Sequence, residues 1–220
     1  GAAALGSSAV LLRSGHATED AHIHEPDRPR ETTTVVERDK PLLERSDPKS
    51  TLPPGEPGKD YTPVVTPNNV PLPWKIVNGA KVYHLVAEEV EHEFAPGLKA
   101  RCWGYNGRVH GPTIEAVEGD RVRIYVTNKL PAGTSVHWHG LLLPNGMDGV
   151  AGLTQRVIQP GETFRYEFTL RQHGTYMYHS HHDEMIQMAL GTMGLFVIHS
   201  RRPKEERPDR DFAFMLSEWR

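Results

Sequence analysis

The stretch "SVHWHG", residues 135–140, sets His137 and His139 on either side of Trp138. Further along, "YHSHH", residues 178–182, sets His179 and His181 on either side of Ser180. Side chains on a β-strand alternate faces, so residues at i and i+2 point the same way. Two such strands side by side aim four imidazoles into one space, which is the geometry of a metal site. A single histidine is better explained as a core or surface residue with satisfied hydrogen bonds. Two His-x-His pairs are not. Neutral imidazole suits zinc, copper, iron and nickel alike, so the pairs leave the metal open. A structural zinc site more often uses cysteine, and neither pair contains one.

The strands on which these pairs sit are visible around them. In "RVRIYVTNKL" Val122, Ile124 and Val126 alternate with Arg121, Arg123 and Tyr125. "ETFRYEFTL" repeats the pattern with Phe164, Tyr166, Phe168 and Leu170. "KVYHLVAEEVEHEF" and "KARCWGYNG" read as earlier strands parted by the turn "APG". Turn signals "VEGD", "LPAG", "LPNG", "QPGE" and "QHG" fall between the later ones. Many short strands with regular Gly/Pro punctuation predict an antiparallel β-sandwich. "DEMIQMAL" is the one helix, with Asp183 expected as its N-cap.

The rest of the chain bounds the reading. Its 220 residues carry a net charge of −3 and 37% hydrophobic residues. That allows one sizeable domain with tails, and gives no broad pull toward nucleic acid. Histidine is frequent, at 13 residues, although His16, His22 and His24 lie in a polar stretch where plain solvent exposure explains them. The single cysteine, Cys102, excludes an intrachain disulfide. No apolar run is long enough for a membrane span. Residues 1–17 read as the back half of an export signal, with cleavage after Ala17, against the alternative of a plain tail. Residues 18–75 are rich in proline and charge and read as an irregular arm or linker. The folded domain is expected over 76–202. Residues 203–220 read as a linker and the start of a further domain, which makes the chain look truncated.

Three stretches in order carry a resemblance. "GPTIEAVEGDRVRIYVTNKL", "SVHWHGLLLPNGMDGVAGLTQRVIQPGETFRYEF" and "GTYMYHSHHDEMIQMALGTMGLFVIH" resemble the N-terminal cupredoxin domain of the multicopper oxidases, the laccase-like enzymes. The resemblance implies an all-β, cupredoxin-like Greek-key sandwich behind the N-terminal arm. It also implies copper. His137 would bind the type 2 ion, His139 and His179 one type 3 ion, and His181 the other. These are half the ligands of a trinuclear cluster that reduces O2 to water. The remaining ligands would come from C-terminal cupredoxin domains of the same protein or a partner subunit. Asp148, in "GMDG", stands where the family has an acidic residue near the cluster and is the candidate catalytic proton carrier. The reducing substrate, whether phenol, Cu(I), Fe(II) or Mn(II), stays open, and the implied location is exported, periplasmic or extracellular.

Departures from the family pattern matter as much. A type 1 copper site needs a thiolate and two histidines, and Ser180 occupies the middle of "HSH". Cys102 lies far from both pairs and is expected to be buried as a small hydrophobe. No type 1 copper is therefore expected in this chain, which alone is expected to be inactive. Arg156 stands where many relatives have cysteine, which removes one possible disulfide partner. Trp138 and His182 face away from the ligands. Met185, Met188 and Met193 are expected to pack in the core rather than to handle Cu(I). The competing readings are a copper carrier or storage module without turnover, and a structural sandwich that retains the motif. A copper nitrite reductase fits less well, because those enzymes carry the type 1 cysteine in the first domain.

Overall fold

A computed structural model describes residues 35–36, 52–202 and 208–219. The proposed signal remnant, and the arm up to residue 51 apart from 35–36, lie outside the described residues. The strands are β1 (Val35–Val36), β2 (Val64–Val65), β3 (Trp74–Val77), β4 (Ala80–Ala95), β5 (Leu98–Tyr105) and β6 (Gly111–Val117). They continue with β7 (Arg121–Asn128), β8 (Val136–His139), β9 (Thr163–Thr169), β10 (Gly174–Ser180), β11 (Met193–His199) and β12 (Asp211–Phe212). One helix, α1 (Glu184–Ala189), follows β10.

Two sheets face each other. The first runs β1-β9-β7-β4-β3, with β5 also on β4, and the second runs β6-β11-β10-β8. This is an all-β, cupredoxin-like sandwich, but not the antiparallel one expected: β4 runs parallel to β7 and β6 parallel to β11, so both sheets are mixed. Alternation builds its core as the pattern predicts. Val122, Ile124 and Val126 from β7 and Phe164, Tyr166 and Phe168 from β9 are all buried. From the second sheet Trp138, Tyr178 and Phe196 enter the same cluster. Trp138 is fully buried. Its ring meets Tyr166 edge-on at 5.1 Å and lies 5.8 Å from Phe168 and 6.1 Å from Phe196. Burying this indole inward is what turns its neighbours His137 and His139 to the other face.

The irregular segment before β3 is fastened to the sandwich by polar groups. The Gly55 N–H donates to Asp120 Oδ1 at 2.9 Å, and the Val64 N–H to Glu115 Oε2 at 2.9 Å. Asp120 also pairs with Lys81 at 2.9 Å, both wholly buried, and with Arg201 at 2.7 Å. Buried charges persist when paired and hydrogen-bonded: Lys81 is paired with Asp120, and Asp120 also accepts from the Gly55 and Val117 N–H groups and from Arg201. Within the segment read as the start of a further domain, Asp211 and Phe212 pair back onto this domain, running parallel to Val64 and Val65.

Two local expectations are corrected. Asp183 sits at φ 48, ψ 50 and makes no side-chain cap hydrogen bond. It does hold the N-cap position of α1, but a side chain caps from extended backbone, and in this left-handed conformation its carboxylate makes no such bond. Met185 is 89% exposed, and Met188 and Met193 are half-buried and outside the core cluster, so none of the three packs in the core. The short helix spends its inward position on Gln187 instead.

Candidate metal centre

The antiparallel pairing of β8 with β10 sets His137 opposite His179, Trp138 opposite Tyr178 and His139 opposite Met177. The two imidazoles at the matched position therefore share the face opposite the core. The ring centroids of His139, His179 and His181 lie 5.5, 5.3 and 5.3 Å from that of His137. Ligand atoms of His137, His139 and His179 all lie within 4.8 Å of one another. His181, just past the end of β10, stacks on His179 at 6.0 Å between centroids. All four sequence-predicted histidines thus converge at one end of the second sheet.

Hydrogen bonds choose which nitrogen of each ring is free. His137 Nδ1 lies 2.6 Å from the Asp148 carbonyl oxygen. His179 Nδ1 lies 2.8 Å from the Ser180 carbonyl oxygen. A carbonyl only accepts, so both Nδ1 atoms carry the proton and both Nε2 lone pairs are available to a metal. His139 Nδ1 faces His179 Nε2 at 3.1 Å. Two ring nitrogens that close need either a proton or a cation between them. Burial holds His179 below the ordinary imidazole value, its bond to the Ser180 carbonyl opposes this, and neighbouring His137 lowers it further. The neutral, ligand-competent form is favoured. The donor set is therefore nitrogen-rich and suited to copper.

Gly149 explains how Asp148 reaches His137. Its φ is 85°, and a Cβ there would overlap the Val136 carbonyl, so only glycine lets this loop close on β8. The Asp148 carboxylate then lies 3.5 Å from His137 Nδ1, partly open to solvent. That is the side of the ring away from Nε2.

Glu184 is close to the second histidine pair in sequence but lies on the helix rather than the strand, so the sequence does not place it at the site. Its carboxylate lies 3.7 Å from His179 Nδ1 and 3.6 Å from His181 Nε2. The left-handed turn at Asp183 brings it there, and no periodic pattern announces such a turn. His182 stays outside the cluster, with its Nε2 3.5 Å from where a Cβ on Gly133 would sit. Cys102 is buried on β5, opposite Val90 of β4, and burial pushes its thiol up. No thiolate joins the histidines.

Fold and donor set together define a cupredoxin-type β-sandwich. Residues 86–203 match the model of the family described as multicopper oxidase, and the chain belongs to that family. It is 41% identical to copper resistance protein A of Pseudomonas syringae pv. tomato over 123 residues, 56% of this chain and 20% of that protein. It is 41% identical to the L-ascorbate oxidase of Brassica rapa subsp. pekinensis over 140 residues, 60% of this chain and 24% of that protein. Among solved structures it is similar to the multicopper oxidase from Pseudomonas thermotolerans, with 34% identity and a TM-score of 0.55 over 65% of this chain and 32% of that one. The metallo-oxidase from Campylobacter jejuni gives 32% identity and a TM-score of 0.55 over 71% and 33%. The chain thus spans about a fifth to a quarter of the length of these curated relatives. Membership of the family implies copper. No helix among the described residues is long and apolar enough to cross a membrane.

Proposed function

We propose that residues 76–202 form the domain that supplies half of the histidine ligands of a trinuclear copper cluster in a longer, exported oxidase. His137 serves the type 2 ion, His139 and His179 share one type 3 ion, and His181 serves the other. The observation that carries this reading is the 3.1 Å approach of His139 Nδ1 to His179 Nε2, with the ring of His137 alongside. When bound, copper supplies one-electron redox chemistry that reduces O2 to water at the expense of a phenolic or metal-ion reductant.

The chain's own residues orient and protonate. The Asp148 carbonyl fixes the His137 tautomer and presents Nε2, as partners beyond the ligands do in metal sites generally. The Asp148 carboxylate, partly exposed beside that ring, is the group that would take up protons from solvent for delivery to the centre when copper is bound. Further cupredoxin domains complete the ligand set. Exposed Leu142, Leu153, Met185 and Ile186 come from the loops and helix that adjoin the histidines, and they offer those domains an apolar surface.

Oxygen uptake by the full-length protein tests the assignment. His137→Ala or His181→Ala abolishes uptake with an added reductant while the fold, judged by circular dichroism, is retained. Undiminished uptake in either variant rules the assignment out. Uptake lacking in the parent protein too, with copper bound, favours a carrier or storage module.

A further inference from the structure

Gln187 is the buried residue of α1, 1% exposed on a helix that turns Met185 and Ile186 outward. Its amide makes hydrogen bonds to both segments that carry the histidines. Oε1 accepts from Ser180 Oγ at 2.6 Å and from Thr134 Oγ1 at 2.8 Å. Nε2 donates to the Gly133 carbonyl at 2.8 Å. Ser180 stands between His179 and His181 and is fully buried. Its Oγ in turn accepts from the His182 N–H at 3.4 Å. Gly133 and Thr134 lead directly into β8 and His137. The main chain closes the same loop: Thr192 N–H donates to the Gln187 carbonyl, and Ser180 N–H to the Thr192 carbonyl, each at 3.1 Å.

One side chain therefore ties the entry of β8 to the exit of β10. An amide whose oxygen accepts twice and whose nitrogen donates has one orientation that satisfies all three partners. A fully satisfied buried network of this kind is rigid and selects a single arrangement. An apolar side chain of similar length removes the partner shared by both hydroxyls and the Gly133 carbonyl. Of these side-chain links it leaves only the 3.2 Å contact of Thr134 Oγ1 with Ser180 Oγ between the two segments, which are then freer to shift.

We propose that Gln187 is a positioning residue of the metal centre. It holds the backbone of His179 and His181 against that of His137 and so sets the separations of their imidazoles. The inference rests on the copper reading above. Gln187 acts through Ser180 and Thr134 and does not itself hold the ion.

The test is Cu(II) titration of the 220-residue chain by calorimetry and electron paramagnetic resonance. The melting temperature of each metal-free variant is recorded alongside. Gln187→Met is expected to weaken Cu(II) binding by about tenfold or more, the range typical of partners that orient metal ligands, and to change the copper hyperfine pattern. Ser180→Ala removes one hydroxyl and moves both readouts the same way by less. The double variant matches Gln187→Met, because the shared network is lost once. A glutamine with a purely structural role lowers the metal-free melting temperature and leaves affinity and hyperfine pattern alone; that result overturns the proposal. His137→Ala separates the two readings. If it leaves Cu(II) binding unchanged, the copper centre falls and this role with it. If it weakens binding while Gln187→Met and Ser180→Ala do not, the positioning role alone falls.

Discussion

His139 Nδ1 and His179 Nε2 face each other at 3.1 Å across the β8–β10 ladder, although their positions are not register partners. His139 is opposite Met177, so the two rings lean toward one another along the strands. Two donors of one ion are coupled, whereas donors of separate ions act independently. In Cu(II) titrations of this chain, His139→Ala and His179→Ala should each weaken binding by about tenfold or more, the lower end of the cost reported for ligand-orienting partners. The double variant should be little weaker than either alone. Full additivity would mean that the two rings serve different ions.

Asp148 holds His137 with its carbonyl and stands beside it with its carboxylate. Replacing the side chain leaves the carbonyl contact in place. Asp148→Ala in the full-length protein should therefore retain copper and slow turnover by about 10²-fold or more, the usual worth of a positioned proton carrier. Asp148→Asn should behave alike, since an amide keeps the shape and loses the titratable proton. Copper content by atomic absorption separates this from ligand loss. A copper-depleted Asp148→Ala would show that the carboxylate supports binding instead.

How much of this was legible beforehand follows from the range of each interaction. The inward faces of β7 and β9 are local alternation, and the structure buries those very residues. The His-x-His pairs are equally local, and Trp138 between them fixes their outward face. Glu184 and Gln187 are different. Their positions depend on a left-handed residue at Asp183 and on a helix of six residues, too short for its inward side to show as a period. Met185 was misassigned for the same reason. Lys81 occupies an inward position on β4 that alternation alone would assign to an apolar residue. Its partner Asp120 is distant in sequence, so nothing nearby announces the pair. The β2–β12 pairing joins two strands of two residues each, below what any pattern resolves.

Trp138 carries the packing between the two sheets at the site's base. Trp138→Ala should destabilise the chain by roughly 3–5 kcal/mol, the usual loss on truncating a buried aromatic. Urea unfolding followed by tyrosine fluorescence measures it. The same variant should also weaken Cu(II) binding, because the outward face of β8 is set by this inward anchor. A stability loss near zero would mean that the indole is not the anchor its contacts imply.

Glu167 bonds to Arg123 at 2.8 Å and also to Arg121 on the outer face of the first sheet. Burial raises its carboxyl, but the hydrogen bonds and charges of Arg123 and Arg121 outweigh this and hold it below its ordinary value of 4.5. A carboxylate whose folded value is depressed stabilises the fold at pH above the unfolded value. That contribution is lost as pH falls through the folded value. Melting temperature should therefore drop as pH falls below that ordinary value of 4.5 and through the lower folded one. Glu167→Gln should cost on the order of 2 kcal/mol at neutral pH, as for hydrogen bonds to charged groups, and should flatten that acid limb. An unchanged acid limb would assign the loss to other carboxylates.

Colour gives the last prediction. The intense blue of a type 1 site arises when a thiolate and two histidines bind Cu(II) together. Ser180 fills the middle of the second pair, and its hydroxyl is committed to Gln187 at 2.6 Å. A hydroxyl stays protonated at neutral pH and is too hard a donor to replace sulfur. Cys102 is the only thiol, buried on β5 with its ionisation pushed up. Burial in apolar surroundings keeps a thiol protonated and inert. Cu(II) added to the purified 220-residue chain should therefore give only weak visible absorption, and Cys102→Ala should leave the spectrum unchanged. Oxygen uptake should be absent, since the chain offers no entry site for electrons and half of the proposed ligands. A strong blue band lost in Cys102→Ala would place a type 1 site here after all. Steady uptake with a reductant would mean that copies of this chain complete the cluster between themselves.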